Sequence, residues 1–249
     1  MEIVLGFIIA AAIGLTGVGA GVITTPVLIL FFHLPPAQAV GTALIFASLV
    51  KLLGAPVYLV RKQVHWRTLL LLIAGGLPGV LGGSLLLNRI RLEHSERVLY
   101  AVLGLTIVTA ASLNLYKMIR KSERNDLRDR SRWLPLVALP TGAEMGFSSA
   151  GAGAIGSIAL FGLTTLSTAQ VVGTDVFFGL AMSSVGGGIQ LTAGHYAPAL
   201  VWKLITGGIA GVLAGANMSA LLPSRPLRVG LSLWIIGLGA QLCWRGLAS

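Results

Sequence analysis

Two stretches carry residue types that could hold a small anion. Residues 14–21 read GLTGVGAG and residues 146–153 read GFSSAGAG, each inside a long apolar run. Gly14, Gly17, Gly19 and Gly21 can adopt backbone conformations closed to other residues. A break there frees peptide N–H groups at the start of the following half-helix, and those groups, with the helix dipole, favour negative charge. Hydroxyls accompany both breaks: Thr16, Thr24 and Thr25 in the first, Ser148, Ser149 and Ser157 in the second. N–H and O–H donors suit an oxyanion, which offers only acceptors.

Three charges stand inside apolar sequence. Lys51 lies in FASLVKLLGAPVY, Glu144 in PTGAEMGFSS and Asp175 in VVGTDVFFGL. Charge at membrane depth is costly and marks a functional site by default. Lys51 is a cation able to attract an anion; the alternative is an ion pair with Asp175 or Glu144, or snorkelling. Glu144 and Asp175 are candidates for proton coupling, because burial favours the neutral acid; the alternative is a buried pair or a helix N-terminal charge. Thr42 and Thr174, in the matching blocks AQAVGTA and AQVVGTD, serve either as site hydroxyls or as helix-start caps.

These residues need elements to position them. The chain has 249 residues, 55% hydrophobic and only 10% charged, with mean hydropathy +0.87. An ordinary globular domain is about 25% charged, so this is the composition of an integral membrane protein. Apolar segments run over 3–32, 36–60, 68–88, 98–116, 134–163, 168–192, 199–222 and 227–245. Segments one and five are overlong for a single span and contain the two breaks. MEIVLGF lacks the basic start of a signal peptide, so segment one is expected to be retained. The net charge of +10 falls mostly between apolar runs, where it sets orientation and does not suggest nucleic acid. A single cysteine, Cys243, rules out an internal disulfide and argues against a thiolate metal site; no cofactor is expected.

The two breaks are related. When Gly14 is aligned with Gly146, GLTGVGAG falls on GFSSAGAG, AQAVGTA on AQVVGTD, and GGLPGVLGG (75–83) on GGIAGVLAG (207–215). In that single register, without a gap, about a third of positions 14–83 are identical to their counterparts. The expected fold is therefore all-α, about eight transmembrane elements in two homologous four-element repeats, 1–116 and 134–249, with broken helices one and five. A basic linker, 117–133, joins the repeats. GGLPGVLGG and GGIAGVLAG read as close helix packing. If all eight segments cross, the positive-inside rule puts both termini in the cytoplasm; if segments one and five re-enter, the repeats are inverted and the N-terminus lies outside. Both arrangements divide the loop Lys and Arg 12 to 5 and keep 117–133 cytoplasmic. Eight crossings is the reading adopted, because two half-helices of about ten residues and a link match one bilayer.

GVGAG followed by Pro26, then AVGTA, then GGLPGVLGG, all echoed in the second half, resembles the TauE/SafE family of sulfite exporter-like permeases over nearly the whole chain. The resemblance implies a multi-pass transporter of the bacterial plasma (inner) membrane. It implies export of sulfite, sulfonates such as sulfoacetate, or related organosulfur anions, coupled to protons. By motif position, the family's breaks carry over to Gly17, Gly19, Gly21, Gly151 and Gly153. The sequence departs from that pattern at Ile158, which stands opposite Pro26, at Ser148-Ser149-Ala150, and at Lys51. The implied partners are a small anion and the lipid bilayer, with no nucleic acid; a homodimer is admissible.

Two rival readings follow from the same residues. An intramembrane serine hydrolase would use Ser148 or Ser149 with His195 as base, and needs them within hydrogen-bond reach. A channel or carrier for another ion would need several carboxylates or histidines along its path, and the apolar segments supply only Glu144 and Asp175.

Overall fold

The computed structural model describes residues 2–16, 20–93, 96–119, 130–150, 155–218 and 224–248. The described chain is helical: α1 (Glu2–Thr16), α2 (Ala20–Phe32), α3 (Pro36–Val60), α4 (Trp66–Glu93), α5 (Glu96–Ile119), a 3-10 turn (Ser131–Trp133), α6 (Leu134–Ser148), α7 (Ile155–Leu163), α8 (Thr168–Thr192), α9 (Pro198–Met218) and α10 (Ser224–Ala248). Backbone groups in lipid must be paired within the segment, and a helix does this. The starts are specified locally. Proline occupies the first turn of α3, where its missing N–H costs nothing. At the matching place in the second half, Ser167 and Gln170 form a capping box for α8.

Helix direction follows from glycine contacts. A Cβ on Gly75, Gly79 or Gly83 of α4 would strike the carbonyls of Pro135, Leu139 or Ala143 of α6. A Cβ on Gly207, Gly211 or Gly215 of α9 would strike those of Ile3, Phe7 or Ala11 of α1. Both series ascend together, so α4 is parallel to α6 and α9 to α1. The two interfaces are counterparts in the register of the repeat: Gly75 corresponds to Gly207, and Pro135 to Ile3. The four-residue spacing of small residues lets the backbones touch, which is the close packing expected of these blocks.

Both overlong segments return to the face they entered. The N–H of Arg130, just before α6, donates to the carbonyl of Leu163 at the end of α7 (2.9 Å). In the first half, Glu2 pairs with Lys203 near the start of α9 (2.7 Å). The N–H of Ala197, also before α9, donates to Thr42 near the start of α3. The starts of α1, α3 and α9 therefore share one face, here the N face. The start of α6 and the end of α7 share the opposite, linker face. The eight crossings expected are thus corrected. α1–α2 and α6–α7 are hairpins entering from opposite faces, because the break lets each segment reverse where a continuous helix would have crossed. Among the described residues, four helices are long and apolar enough to cross a membrane: Pro36–Val60, Trp66–Ile90, Thr168–Thr192 and Pro198–Gly215. α3 and α8 pack antiparallel: Gly41 meets Gln190, Leu44 meets Gly186, and Ser48 meets Ser184.

Candidate functional site

The tips of the two hairpins meet. α6 ends at Ser149, which holds a left-handed conformation (φ 65°) and accepts no further turn. That conformation costs a non-glycine residue about 1–2 kcal/mol, and such cost is commonly found at functional sites. Its Oγ lies 2.5 Å from Thr25 Oγ1 of α2. Gly21, one turn earlier on α2, faces Ser149 so closely that a Cβ there would overlap its carbonyl oxygen and hydroxyl. Thr24, Thr25, Ser148 and Ser149 are all buried. Ser148 Oγ donates to the Glu144 carbonyl (3.1 Å) and accepts from the Ala150 N–H (3.2 Å), which closes the end of α6. Ser84 of α4 donates to the Gly146 carbonyl (3.3 Å) and braces the same turn. Gly17, Gly19, Gly151 and Gly153 lie outside the described residues.

Three charges lie on α3, α6 and α8. Asp175 of α8 is buried, and a Cβ on Gly156, at the start of α7, would sit 2.6 Å from Asp175 Oδ1. The carboxylate thus stands beside the N-terminus of α7, and glycine is what lets it approach. Lys51 of α3 is partly accessible and lies within electrostatic reach of Asp175. Both carboxyl oxygens of Glu144 are buried, one turn before Ser148, and make no hydrogen bond with any described residue. A buried carboxyl in that position needs a proton, a cation or water as partner.

Thr42 and Thr174 accept backbone hydrogen bonds from the opposite half. The His65 N–H donates to Thr174 Oγ1 and the Ala197 N–H to Thr42 Oγ1, each at 3.0 Å. Gly41 and Gly173, one residue earlier, sit against the carbonyls of His195 and Gln63. Each AQxVGT block therefore clasps the loop preceding α9 or α4 of the opposite half: glycine admits a carbonyl, and threonine receives the N–H two residues on. Thr42→Val and Thr174→Val keep the shape and remove the acceptor of one half-buried N–H each. Each variant is expected to lose about 1–3 kcal/mol of stability, seen as a lower melting temperature in detergent, with substrate affinity unchanged.

Sequence reasoning did not find four polar contacts. Ser48 of α3 and Ser184 of α8 pair at 3.0 Å. At the N face, His195 Nδ1 lies 2.9 Å from Asn88 Oδ1 and 3.2 Å from Gln190 Oε1. The Thr25–Ser149 pair joins two residues each singled out in the sequence, but no spacing rule predicts contact across 124 positions. The hydrolase reading needs Ser148 or Ser149 beside His195. Instead the serines bond at the hairpin tip and His195 bonds at the N face. Among the described residues no three His, Cys, Asp or Glu side chains gather as a metal site.

The chain resembles known proteins along its length. The family model "Sulfite exporter TauE/SafE" matches residues 3–242. The "Probable membrane transporter protein YjnA" of Bacillus subtilis is 29% identical, over 96% of this chain and 98% of that protein. The "Probable membrane transporter protein y4hK" of Sinorhizobium fredii is 32% identical over 84% of each. The "Probable membrane transporter protein YdhB" of Bacillus subtilis is 25% identical over 91% and 93% respectively. No solved structure matches.

Proposed function

Because the chain belongs to the sulfite exporter TauE/SafE family, we propose that it carries a small sulfur oxyanion, sulfite or a sulfonate such as sulfoacetate, across a bacterial plasma membrane. The observation that supports this reading is the seam at Thr25 and Ser149, where hairpins from opposite faces bring hydroxyls together; Lys51 lies within electrostatic reach of Asp175, which stands beside the start of α7. Donors at the hairpin tips would bind the oxyanion, and Lys51 would supply the compensating charge. Opening the seam on either side would expose one site to each face in turn, as inverted repeats do in secondary transporters. The matching interfaces of α4 with α6 and of α9 with α1 support reading 1–116 and 134–249 as such repeats, joined by 117–133, with Thr42 and Thr174 as their clasp.

In this reading α5 and α10 also cross, at 24 and 25 residues, giving three spans and one hairpin per repeat. Exposed Trp66 and Trp133 at the linker face, and Trp202 and Trp244 at the N face, fit interfacial belts. Counted by sequence position, the ends and loops on the linker side then carry 12 Lys and Arg and those on the N side carry 5. The positive-inside rule makes that face cytoplasmic and puts both termini outside.

Coupling follows from competition. An anion and the Asp175 carboxylate are alternative partners for Lys51. Protonating Asp175 releases the cation, so a proton and the anion bind together, and anion affinity rises as pH falls. Asp175→Asn fixes the released state: a sulfonate, whose own charge is constant, is expected to bind it with affinity independent of pH. Retained pH dependence in that variant removes Asp175 from coupling and leaves Glu144, tested by Glu144→Gln. Flux of labelled sulfite or sulfoacetate into liposomes tests the function itself.

A further inference from the structure

We infer that the groove between α4 and α6 at the linker face holds an anionic phospholipid. The groove is an open depression of about 470 Å³ along the flank of the second hairpin. Its walls are apolar: Ala74 and Pro78 on α4, Leu136 and Leu139 on α6. Its mouth is not, since Arg132 and Trp133 close it at the 3-10 turn. Trp133, Leu136 and Leu139 are exposed, so the groove opens sideways to lipid as well as upward to the face.

Charge selects the occupant. Arg132 is exposed and makes no ion pair with any described residue. Its neighbours along the face, Arg61, Lys62 and Arg130, are basic too. An acyl chain satisfies the apolar walls, an indole at the mouth suits the interface, and an anionic headgroup satisfies the guanidinium. The corresponding surface of the other half has a different chemistry. Positions 136, 139, 74 and 78 become Val4, Phe7, Thr206 and Ala210 there. The cation at that end, Lys203, is already paired with Glu2. The site is thus particular to the linker face. It depends on the chain lying in a bilayer and not on which anion it carries. Lipid wedged beside α6 would bear on the hairpin whose tip carries Ser149.

Native mass spectrometry of the delipidated full chain, titrated with phosphatidylglycerol or with phosphatidylcholine of the same acyl chains, tests this. Wild-type protein is expected to prefer phosphatidylglycerol about fivefold, the contribution of one interfacial arginine. Arg132→Gln should bring the two lipids to equal binding. Ala74→Phe, which fills the groove, should lose the retained lipid of either kind. Arg61→Gln with Lys62→Gln, on the same face but outside the groove, should keep the preference. Undiminished preference in Arg132→Gln overturns the proposal, as does an equal loss in the Arg61/Lys62 variant, which would mean the face attracts lipid only by its general charge. Retention of lipid by folded Ala74→Phe overturns it too; if that variant does not fold, Arg132→Gln decides alone.

Discussion

Lys51→Ala is expected to lower sulfite or sulfonate transport in liposomes by about tenfold or more, because a charge-assisted contact to an anion contributes about 1.5–3 kcal/mol. Two effects combine. The oxyanion loses its compensating cation, and Asp175, beside the N-terminus of α7, loses the ammonium within its electrostatic reach. Lys51→Arg keeps the charge and should retain part of the rate. A double variant, Lys51→Met with Asp175→Leu, separates function from structure. Replacing two opposite charges at membrane depth together removes the desolvation cost of both, so its melting temperature should return to that of the wild type. Transport should not return. Recovery of transport in the double variant would mean that the pair only holds α3 against α8.

Gly79→Leu and Gly211→Leu are expected to give the largest losses of stability. Each new side chain must start where a carbonyl of the parallel partner helix already sits, that of Leu139 or Phe7. Neither backbone can yield without breaking its own helix or separating the pair. Overpacking costs about 1–3 kcal/mol and more where only backbone is available to move, so a fall of about 6–12 °C or greater in melting temperature is expected. Gly82→Leu is the contrast within the same motif. Nothing lies within 4 Å of a Cβ there, and leucine is the better helix former by nearly 1 kcal/mol. Its melting temperature should hold or rise. Equal damage at Gly79 and Gly82 would show that the motif acts through glycine's backbone freedom and not through helix contact.

The contrast between Gly79 and Gly82 marks how much the sequence could say. Helical class, the apolar elements and the packing role of GGLPGVLGG were legible, because each rests on local composition and on a spacing of four. Both breaks were legible from glycine density. Whether a broken segment crosses or turns back was not. Two half-helices and a link fit either path, and the basic residues divide 12 to 5 in both. What decides it is a tertiary bond, the Arg130 N–H on the Leu163 carbonyl. The clasp made by Thr42 and Thr174 was not legible for a similar reason. A threonine that caps a helix start normally caps its own, and sequence gives no sign that these serve helices in the opposite half. Lys51, Glu144 and Asp175 were visible as charges out of place, and the structure adds who stands near them. It sets Asp175 by Lys51 and leaves the Glu144 oxygens without a donor among the described residues.

The central claim, an oxyanion site at the hairpin seam, is tested most directly by counterflow. Liposomes holding the purified protein are loaded with unlabelled sulfite or sulfoacetate and exposed to a trace of the labelled anion outside. Saturable accumulation of label, absent from empty liposomes and lost in Lys51→Ala, is the predicted result. No exchange of any sulfur oxyanion, with exchange of a cation or an uncharged solute by the same preparation, would contradict it.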